Sequence, residues 1–171
     1  MRCGWVLGAV ILVGGSSACA ESGNADLSAT QLGSAVLGAA TLTDTPSGLH
    51  VVVQVANVRP GTHGLHIHQY GSCGNEGKAA GGHYNPSRVK HGFLPQDGFR
   101  GAHAGDLGNI EVGADGTGTL NLTLKDLRLS GGKYSVGGRA IILHEKVDDF
   151  SQPLGNAGGR IGCGPIVITG E

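Results

Sequence analysis

Alternation of apolar and polar residues is the feature that most limits how this chain can fold. Leu or Val occupies every second position from Leu49 to Val55, and Leu does so again from Leu120 to Leu124. A period of two places these side chains on one face of a β-strand, whereas an amphipathic helix needs a period of about 3.6. The sequence contains no helical pattern of ten or more residues. The two segments therefore predict strands of an antiparallel sheet with one buried face.

Further strand patterns, separated by turn sequences, predict an all-β domain. Turns are indicated where Gly accompanies Pro, Asp or Ser, as in Thr45-Pro-Ser-Gly48. About eight short antiparallel strands are typical of a Greek-key β-barrel or sandwich, which we expect to cover residues 32–171. Residues 21–31 are mostly small and polar, so they are predicted to form a flexible N-terminal tether. The additional strand candidates are residues 35–43, 64–68, 107–113, 139–144 and 161–168.

Residues 1–20 are predicted to be a signal peptide. Arg2 gives this segment a positive start, residues 5–13 form an apolar run too short to span a bilayer, and Ala18-Cys-Ala20 is a cleavage sequence. The protein is therefore expected to be periplasmic or secreted. The alternative is a lipoprotein that is anchored to a membrane through Cys19. Soluble export is favoured because the residue three positions before that cysteine is Ser, where an aliphatic residue is expected.

Export limits how the four cysteines can pair. Cys3 and Cys19 fall within the signal peptide, so Cys73 and Cys163 are left as a pair. In an oxidising compartment two cysteines without a competitor most simply form one disulfide. The alternative is that both are thiolate metal ligands, which is weaker because neither lies in a CxxC motif.

Two long segments, residues 69–105 and 145–160, interrupt the strand pattern. They are rich in Gly, Pro, His and Asp, and the first holds several of the eight histidines. Long irregular loops inside a compact domain are usually functional, so these two loops are predicted to carry the site. The formal net charge of −1 and the lack of a basic run argue against nucleic acid as a partner.

The histidines predict a metal centre. His66 and His68 lie two residues apart on a predicted strand, which places both rings on one face about 6.6 Å apart. His63 has the opposite strand parity to His66 and is predicted to make a structural hydrogen bond, while His50 is expected to be half-exposed. One HxH pair by itself is also common in packed strands. The full candidate set is larger, with His66, His68, His83, His91, His103, Asp106 and His144.

Six histidines and one aspartate exceed a single tetrahedral site and predict two. Imidazoles with one carboxylate suit zinc, and an all-imidazole set suits copper. The spacing of the residues does not say which ligand binds which metal.

Six short motifs follow one another along the chain: GLHIHQYG, GGHYNP, KHG, HAGDLGN, HEKVDDF and GNAGGRIGCG. In this order they resemble the copper/zinc superoxide dismutases, most closely their exported bacterial type, over residues 32–169. Members of this family have a Greek-key fold of the sandwich type. The resemblance implies one copper ion and one zinc ion in each subunit, and a homodimer is possible.

The resemblance also implies a role for each candidate residue. His83 would bridge the two metals, Asp148 would link a copper ligand to a zinc ligand, and Arg160 would hold the substrate anion beside copper. The copper ligands would be His66, His68, His83 and His144. The zinc ligands would be His83, His91, His103 and Asp106.

The implied activity is the conversion of two superoxide anions to oxygen and hydrogen peroxide by alternating Cu(II) and Cu(I). Zinc would be structural and would tune proton delivery by His83. Residues 150–158 contain no charged side chain, whereas this loop lines the substrate channel with charges in cytosolic members. Lys78, Arg88, Lys90 or Arg100 is expected to replace them. The alternatives are an exported copper/zinc-binding protein without turnover and a zinc hydrolase, for which a carboxylate base beside an open zinc position is missing.

Overall fold

The computed structural model describes residues 20–170. The predicted signal peptide and the candidate lipid-anchor residue Cys19 lie outside the described residues, apart from Ala20. Within residues 20–170 no helix has the length and apolar character needed to cross a membrane. The strands are β1 (Ser22–Ala29), β2 (Leu37–Thr45), β3 (Gly48–Ala56), β4 (Gly61–His68), β5 (Asp106–Val112), β6 (Gly118–Leu124), β7 (Ala140–His144), β8 (Arg160–Pro165) and β9 (Val167–Gly170). This described part of the chain also contains two short helices, a 3-10 turn at Lys78–Ala80 and α1 at Leu94–Gly101.

The first eight strands form a closed antiparallel barrel, and β9 is an additional strand. The hydrogen-bonded order is β2-β3-β6-β5-β4-β7-β8-β1-β9, and a further pairing between β1 and β2 closes the ring. β3 pairs with β6 and not with β4, so the chain crosses over in the Greek-key manner. Closure leaves no open edge in the ring of eight strands. The predicted all-β Greek-key barrel is confirmed.

The barrel interior is filled by the apolar side chains whose alternation predicted the strands. Leu49, Val51, Val53 and Val55 of β3 are all buried. Leu120 and Leu122 of β6 are only half-buried and pack at the margin of the same core. Both predicted strands are confirmed, because their alternation matches the two faces of a barrel wall.

The predicted flexible tether at residues 21–31 is wrong, because residues 22–29 form β1. This strand pairs with β2 from Ser22 to Ser28, and its Ala25 and Leu27 side chains are 1% and 2% exposed. Two of its three inward residues, Gly23 and Ala25, are small, and for Gly23 the reason is packing. A Cβ added at Gly23, for example, would lie 2.9 Å from the carbonyl oxygen of Val167. Small residues therefore reflect close strand contact here and not flexibility.

Both long loops leave the same barrel wall. Residues 69–105 connect β4 to β5 and contain the 3-10 turn and α1, and residues 145–159 connect β7 to β8. The second loop is closed at its base by two backbone hydrogen bonds, from Glu145 N–H to the Gly159 carbonyl and from Lys146 N–H to the Ala157 carbonyl. The predicted strand at 161–168 proves to be two strands, separated by the buried Ile166.

Candidate metal centre

The strand register brings the ends of β4, β5 and β7 together beneath the two loops. His66 of β4 lies opposite Asp106 of β5 and Ile142 of β7, and the β4–β5 register shifts between Gly64 and His66. This bulge turns the end of β4 towards the loop that carries the other histidines. All seven candidate ligands are buried and come from both strands and loop.

Four histidines form the first ligand group. One nitrogen from each ring lies within 4.8 Å of the others in the set His66, His68, His83 and His144. The Nδ1 atoms of His68 and His144 donate hydrogen bonds to the carbonyl oxygens of Gly81 and Gly158, at 3.0 and 3.4 Å. In the neutral rings their Nε2 atoms therefore carry lone pairs, and these two atoms lie 3.3 Å apart. Facing lone pairs at this distance favour a cation between them.

The second ligand group contains one carboxylate. A ligand atom from each of His83, His91, His103 and Asp106 lies within 4.8 Å of the others. Asp106 Oδ1 lies 2.9 Å from His83 Nδ1 and 3.1 Å from His103 Nδ1. His103 and Gly92 also donate backbone N–H groups to Asp106 Oδ2, which holds the carboxylate in place. His83 belongs to both groups.

Asp148 connects the two ligand groups because it accepts a hydrogen bond from one histidine of each. His66 Nε2 donates to Asp148 Oδ2 at 2.7 Å, and His91 Nε2 donates to Asp148 Oδ1 at 2.9 Å. The opposite Nδ1 atoms of both rings are buried and have no hydrogen-bond partner within residues 20–170. His91 Nδ1 lies 2.9 Å from Asp106 Oδ2 without the geometry of a hydrogen bond. Buried polar atoms rarely lack a partner, so this donor set fits two bound cations.

The sequence model of the copper/zinc superoxide dismutase family matches residues 36–166, which is most of the chain. The chain belongs to the copper/zinc superoxide dismutase family. A solved structure of this fold, described as a crystal structure of the clock protein EA4, is 30% identical in sequence with a TM-score of 0.78. The match covers 99% of this chain and 100% of that one. Family membership and the two histidine groups together indicate a protein that binds copper and zinc.

The electrostatics of the site suit the ligand chemistry of this family. Burial lowers the pKa of His68 to about 3 and that of His83 to about 4, and it lowers the pKa of His144 as well. These rings are therefore neutral near pH 7, as metal ligands must be. Burial disfavours protonation of His91, but the carboxylates of Asp106 and Asp148, one beside each ring nitrogen, outweigh it and raise the pKa of His91 to about 9. This position therefore attracts positive charge.

The two carboxylates at the site are ionised. Burial alone would raise the pKa of Asp106, but hydrogen bonds with His103 and His83 and the close contact with the His91 ring lower it well below its ordinary value. Hydrogen bonds with His66 and His91 lower the pKa of Asp148 in the same way against its burial. The centre therefore places two negative charges beside the neutral rings of His68, His83 and His144, which complements divalent cations.

A pocket of about 320 Å³ opens over the first ligand group. Arg160 is the one charged residue other than histidine in its lining among the described residues. The guanidinium donates to the carbonyl oxygens of Gly77 and Gly81 at 2.6 and 2.5 Å. The predicted disulfide between Cys73 and Cys163 is confirmed, with a Cα–Cα distance of 5.7 Å. It ties the segment that carries both carbonyls to β8, where Arg160 begins the strand.

A second cleft of about 550 Å³ lies beside this pocket and shares His83 with it. Arg88 and Lys90 line the second cleft. Of the other two basic residues expected near the substrate path, Lys78 forms an exposed ion pair with Glu76 at 2.9 Å. Arg100 lies on α1 and lines a different pocket.

The two histidines predicted to lie outside the site do so. His63 Nδ1 and Nε2 lie 2.9 and 2.8 Å from the carbonyl oxygens of His144 and Arg59, which confirms the predicted structural hydrogen bonding. His50 is half-buried on β3 and lies 2.9 Å from Asn121 Oδ1, again as predicted.

Sequence reasoning missed two amide side chains that support the centre. Asn109 accepts a hydrogen bond from the Asp148 backbone N–H at 2.8 Å and donates one to the Asp148 carbonyl at 2.9 Å. Gln152 makes the same pair of bonds with the backbone of His91. Asn109 lies in the HAGDLGN motif and could have been found there. Gln152 lies in no recognised motif, and only the structure reveals it.

Proposed function

We propose that this protein is an exported superoxide dismutase that converts two superoxide anions and two protons into oxygen and hydrogen peroxide. The proposal rests on one observation above all. A complete group of four histidines lies under a small pocket. Among the described residues that line this pocket, Arg160 alone carries a guanidinium. The pocket fits a small anion that reaches a metal through this opening.

We assign the two metals by donor chemistry. The first group contains only imidazole nitrogens, which suits copper, and the second adds a carboxylate oxygen, which suits zinc. The proposed copper ligands are His66, His68, His83 and His144. The proposed zinc ligands are His83, His91, His103 and Asp106.

Bound copper would supply the one-electron oxidation and reduction of superoxide, and the chain's own residues would supply binding and protons. Arg160 is held by two backbone carbonyls at the pocket wall, so its guanidinium is positioned to bind an anion with little loss of side-chain entropy. His83 lines the same pocket, and its Nδ1 faces Asp106. Its Nε2 is therefore the nitrogen that would hold a proton for transfer to the reduced substrate in the pocket.

Arg88 and Lys90 are proposed to attract superoxide towards the pocket. The loop of residues 145–159 presents Pro153 and Leu154 at the boundary between the pocket and the second cleft, and neither carries a charge. Arg88 and Lys90 line the second cleft, on the other side of Pro153 and Leu154 from the pocket. They are therefore the nearest lining residues that could replace the charges missing from this loop. Positive charge near a small entrance raises the encounter rate of an anion, and salt weakens this effect.

The second candidate is a copper- and zinc-binding protein without turnover. It is favoured by one observation, that a solved structure with the same fold and 30% sequence identity is described as that of a clock protein. Retention of all four candidate copper ligands and of Arg160 favours the enzyme over this alternative.

Metal analysis combined with a superoxide assay tests the proposal. The chain without residues 1–20 would be loaded with copper and zinc, its metal content measured by mass spectrometry, and superoxide consumption followed by pulse radiolysis. We expect one copper and one zinc per chain and a rate that depends on copper. Full occupancy of both metals without superoxide consumption would favour the binding protein.

Export belongs to the same proposal and has its own test. The mass of the mature N-terminus distinguishes cleavage after Ala20 from a lipid-modified Cys19, and cell fractionation distinguishes a soluble from a membrane-bound form. Analytical ultracentrifugation of the metal-loaded chain tests the possible homodimer.

A further inference from the structure

Gln152 makes a reciprocal pair of hydrogen bonds with the backbone of a single residue, His91. The backbone N–H of His91 donates to Gln152 Oε1 at 3.1 Å, and Gln152 Nε2 donates to the His91 carbonyl oxygen at 2.8 Å. A primary amide has one acceptor and one donor side, and both are used here on the peptide groups that flank one Cα atom. The contact therefore restrains the backbone of His91 on both sides of its side chain.

The same loop also restrains the ring of His91. Asp148 lies four residues before Gln152 and accepts the hydrogen bond from His91 Nε2 at 2.9 Å. The backbone and the ring are thus both held by residues of the 145–159 loop, and His91 Nδ1 is left directed at the second ligand group. The ring of Phe150, which lies between the two anchors in sequence, is stacked at 6.4 Å from the His91 ring.

The contact links two parts of the molecule that are far apart in sequence. His91 lies 61 residues before Gln152, in the loop between β4 and β5. Pro153 and Leu154, which follow Gln152 directly, line both the copper-side pocket and the second cleft. The two hydrogen bonds between Gln152 and His91 therefore also connect the wall of the pocket to a residue of the zinc-side group.

We propose that Gln152 is a positioning residue that clamps His91 in its ligand geometry and thereby couples zinc retention to the conformation of the 145–159 loop. The proposal rests on the proposed metal assignment. Because Gln152 does not bind the metal, its effect reaches zinc only through the placement of His91. Coupling of this kind is reciprocal, so removal of zinc is expected to loosen residues 152–154 as well.

Two substitutions at Gln152 and two at a control position test the clamp. Q152M keeps the length and lack of branching of the side chain but removes both hydrogen bonds. Q152E keeps the oxygen that accepts from the His91 N–H but sets a second oxygen against the His91 carbonyl. Gln54 is exposed on β3 and has no side-chain hydrogen bond to any described residue, so Q54M and Q54E are matched controls.

The first measurement is the rate of zinc release from the fully metal-loaded protein to an excess of a chromogenic chelator. Loss of a residue that orients a metal ligand typically weakens metal binding 10- to 100-fold, so we expect release from Q152M to be about tenfold faster than from wild type. Q152E is expected to release zinc at least as fast as Q152M, and it provides the comparison if Q152M does not fold. Both Gln54 variants should match wild type.

Two further measurements separate positioning from a general loss of stability. With Co²⁺ at the zinc position, the visible ligand-field bands of Q152M should change in shape and not only in intensity. In the metal-free protein, the His91 amide should exchange its hydrogen faster in Q152M, while amides of β3 remain protected. Zinc release by Q152M within twofold of wild type, with an unchanged cobalt spectrum, would overturn the clamp.

The superoxide assay on the loaded wild-type protein keeps this proposal separate from the proposed function. An inactive wild type with tenfold faster zinc release from Q152M would reject the enzyme and retain the clamp. An active wild type with unchanged zinc release from Q152M would retain the enzyme and reject the clamp. A wild-type protein that takes up no zinc would overturn both.

Discussion

Removal of the disulfide between Cys73 and Cys163 should cost the protein much of its stability. The two residues are 90 positions apart, so the bond closes more than half of the described chain into one loop. In the chain-entropy model a loop of this length loses about 15 cal/mol/K on closure, which is about 4.6 kcal/mol at 25 °C. Small domains are stable by about 5–15 kcal/mol in total. We therefore expect the metal-free reduced protein to be close to its unfolding threshold.

The disulfide also supports Arg160, the candidate anion-binding residue. Gly77 donates its backbone N–H to the Cys73 carbonyl at 3.2 Å, and the Gly77 carbonyl in turn accepts from Arg160. Cys163 is 2% exposed and packs beside Ala80 and Ile142. Breaking the bond should therefore loosen the segment that holds the guanidinium as well as lower the free energy of unfolding.

Urea unfolding of the metal-free protein measures the effect. Three samples are needed: the oxidised wild type, the reduced wild type, and a C73A/C163A double variant. The reduced wild type isolates the loss of the bond, and the variant adds the loss of two sulfur atoms from their packing. Alanine is chosen because a serine at 163 would bury a hydroxyl group. A difference below about 1 kcal/mol between oxidised and reduced wild type would refute the loop-closure argument.

Four further outcomes are expected. Arg160→Gln should slow superoxide consumption about 10- to 150-fold, since a hydrogen bond to a charged group contributes about 1.5–3 kcal/mol, and pulse radiolysis measures it. A double variant, R88Q/K90Q, should slow the reaction and flatten its dependence on ionic strength; salt-independent rates in both proteins would contradict the steering role. His63→Ala should lower the free energy of unfolding by about 2–4 kcal/mol, measured in urea, because the buried ring's hydrogen bonding to the backbone is lost and a cavity forms. Burial lowers the pKa of His83 to about 4 in the metal-free folded protein, against about 6.5 when unfolded. The stability that this ring contributes is therefore fully present above pH 6.5 and is lost as the pH falls towards 4. Equal urea midpoints at pH 7 and pH 4.5 would contradict this expectation.

Much of the fold could be predicted because its signal is local. The period of two in residues 49–55 follows directly from the geometry of a strand, and the same parity separates His63 from His66. The pairing of Cys73 with Cys163 followed from the predicted export, which places the other two cysteines in the predicted signal peptide and favours a disulfide. These conclusions need only neighbouring residues or simple counting.

The N-terminal strand could not be predicted in this way. Residues 22–29 have the composition of a linker, yet they pair with β2, β8 and β9. The deciding factor is the close approach of Gly23 to Val167, more than 140 residues later in the chain. Composition carries no information about such a contact.

The sequence by itself determined the chemistry of this protein: which residues can bind metal, how strand parity orients them, and which two cysteines can pair. The tertiary structure decided which of those residues meet, because the β4–β5 bulge and the two loops set distances that no spacing rule contains. It also showed that Arg88 and Lys90 line the cleft beside the pocket, whereas Arg100 lines a different one. Gln152 illustrates the difference, since an exposed amide in a loop acquires a role only when folding places it against the backbone of His91.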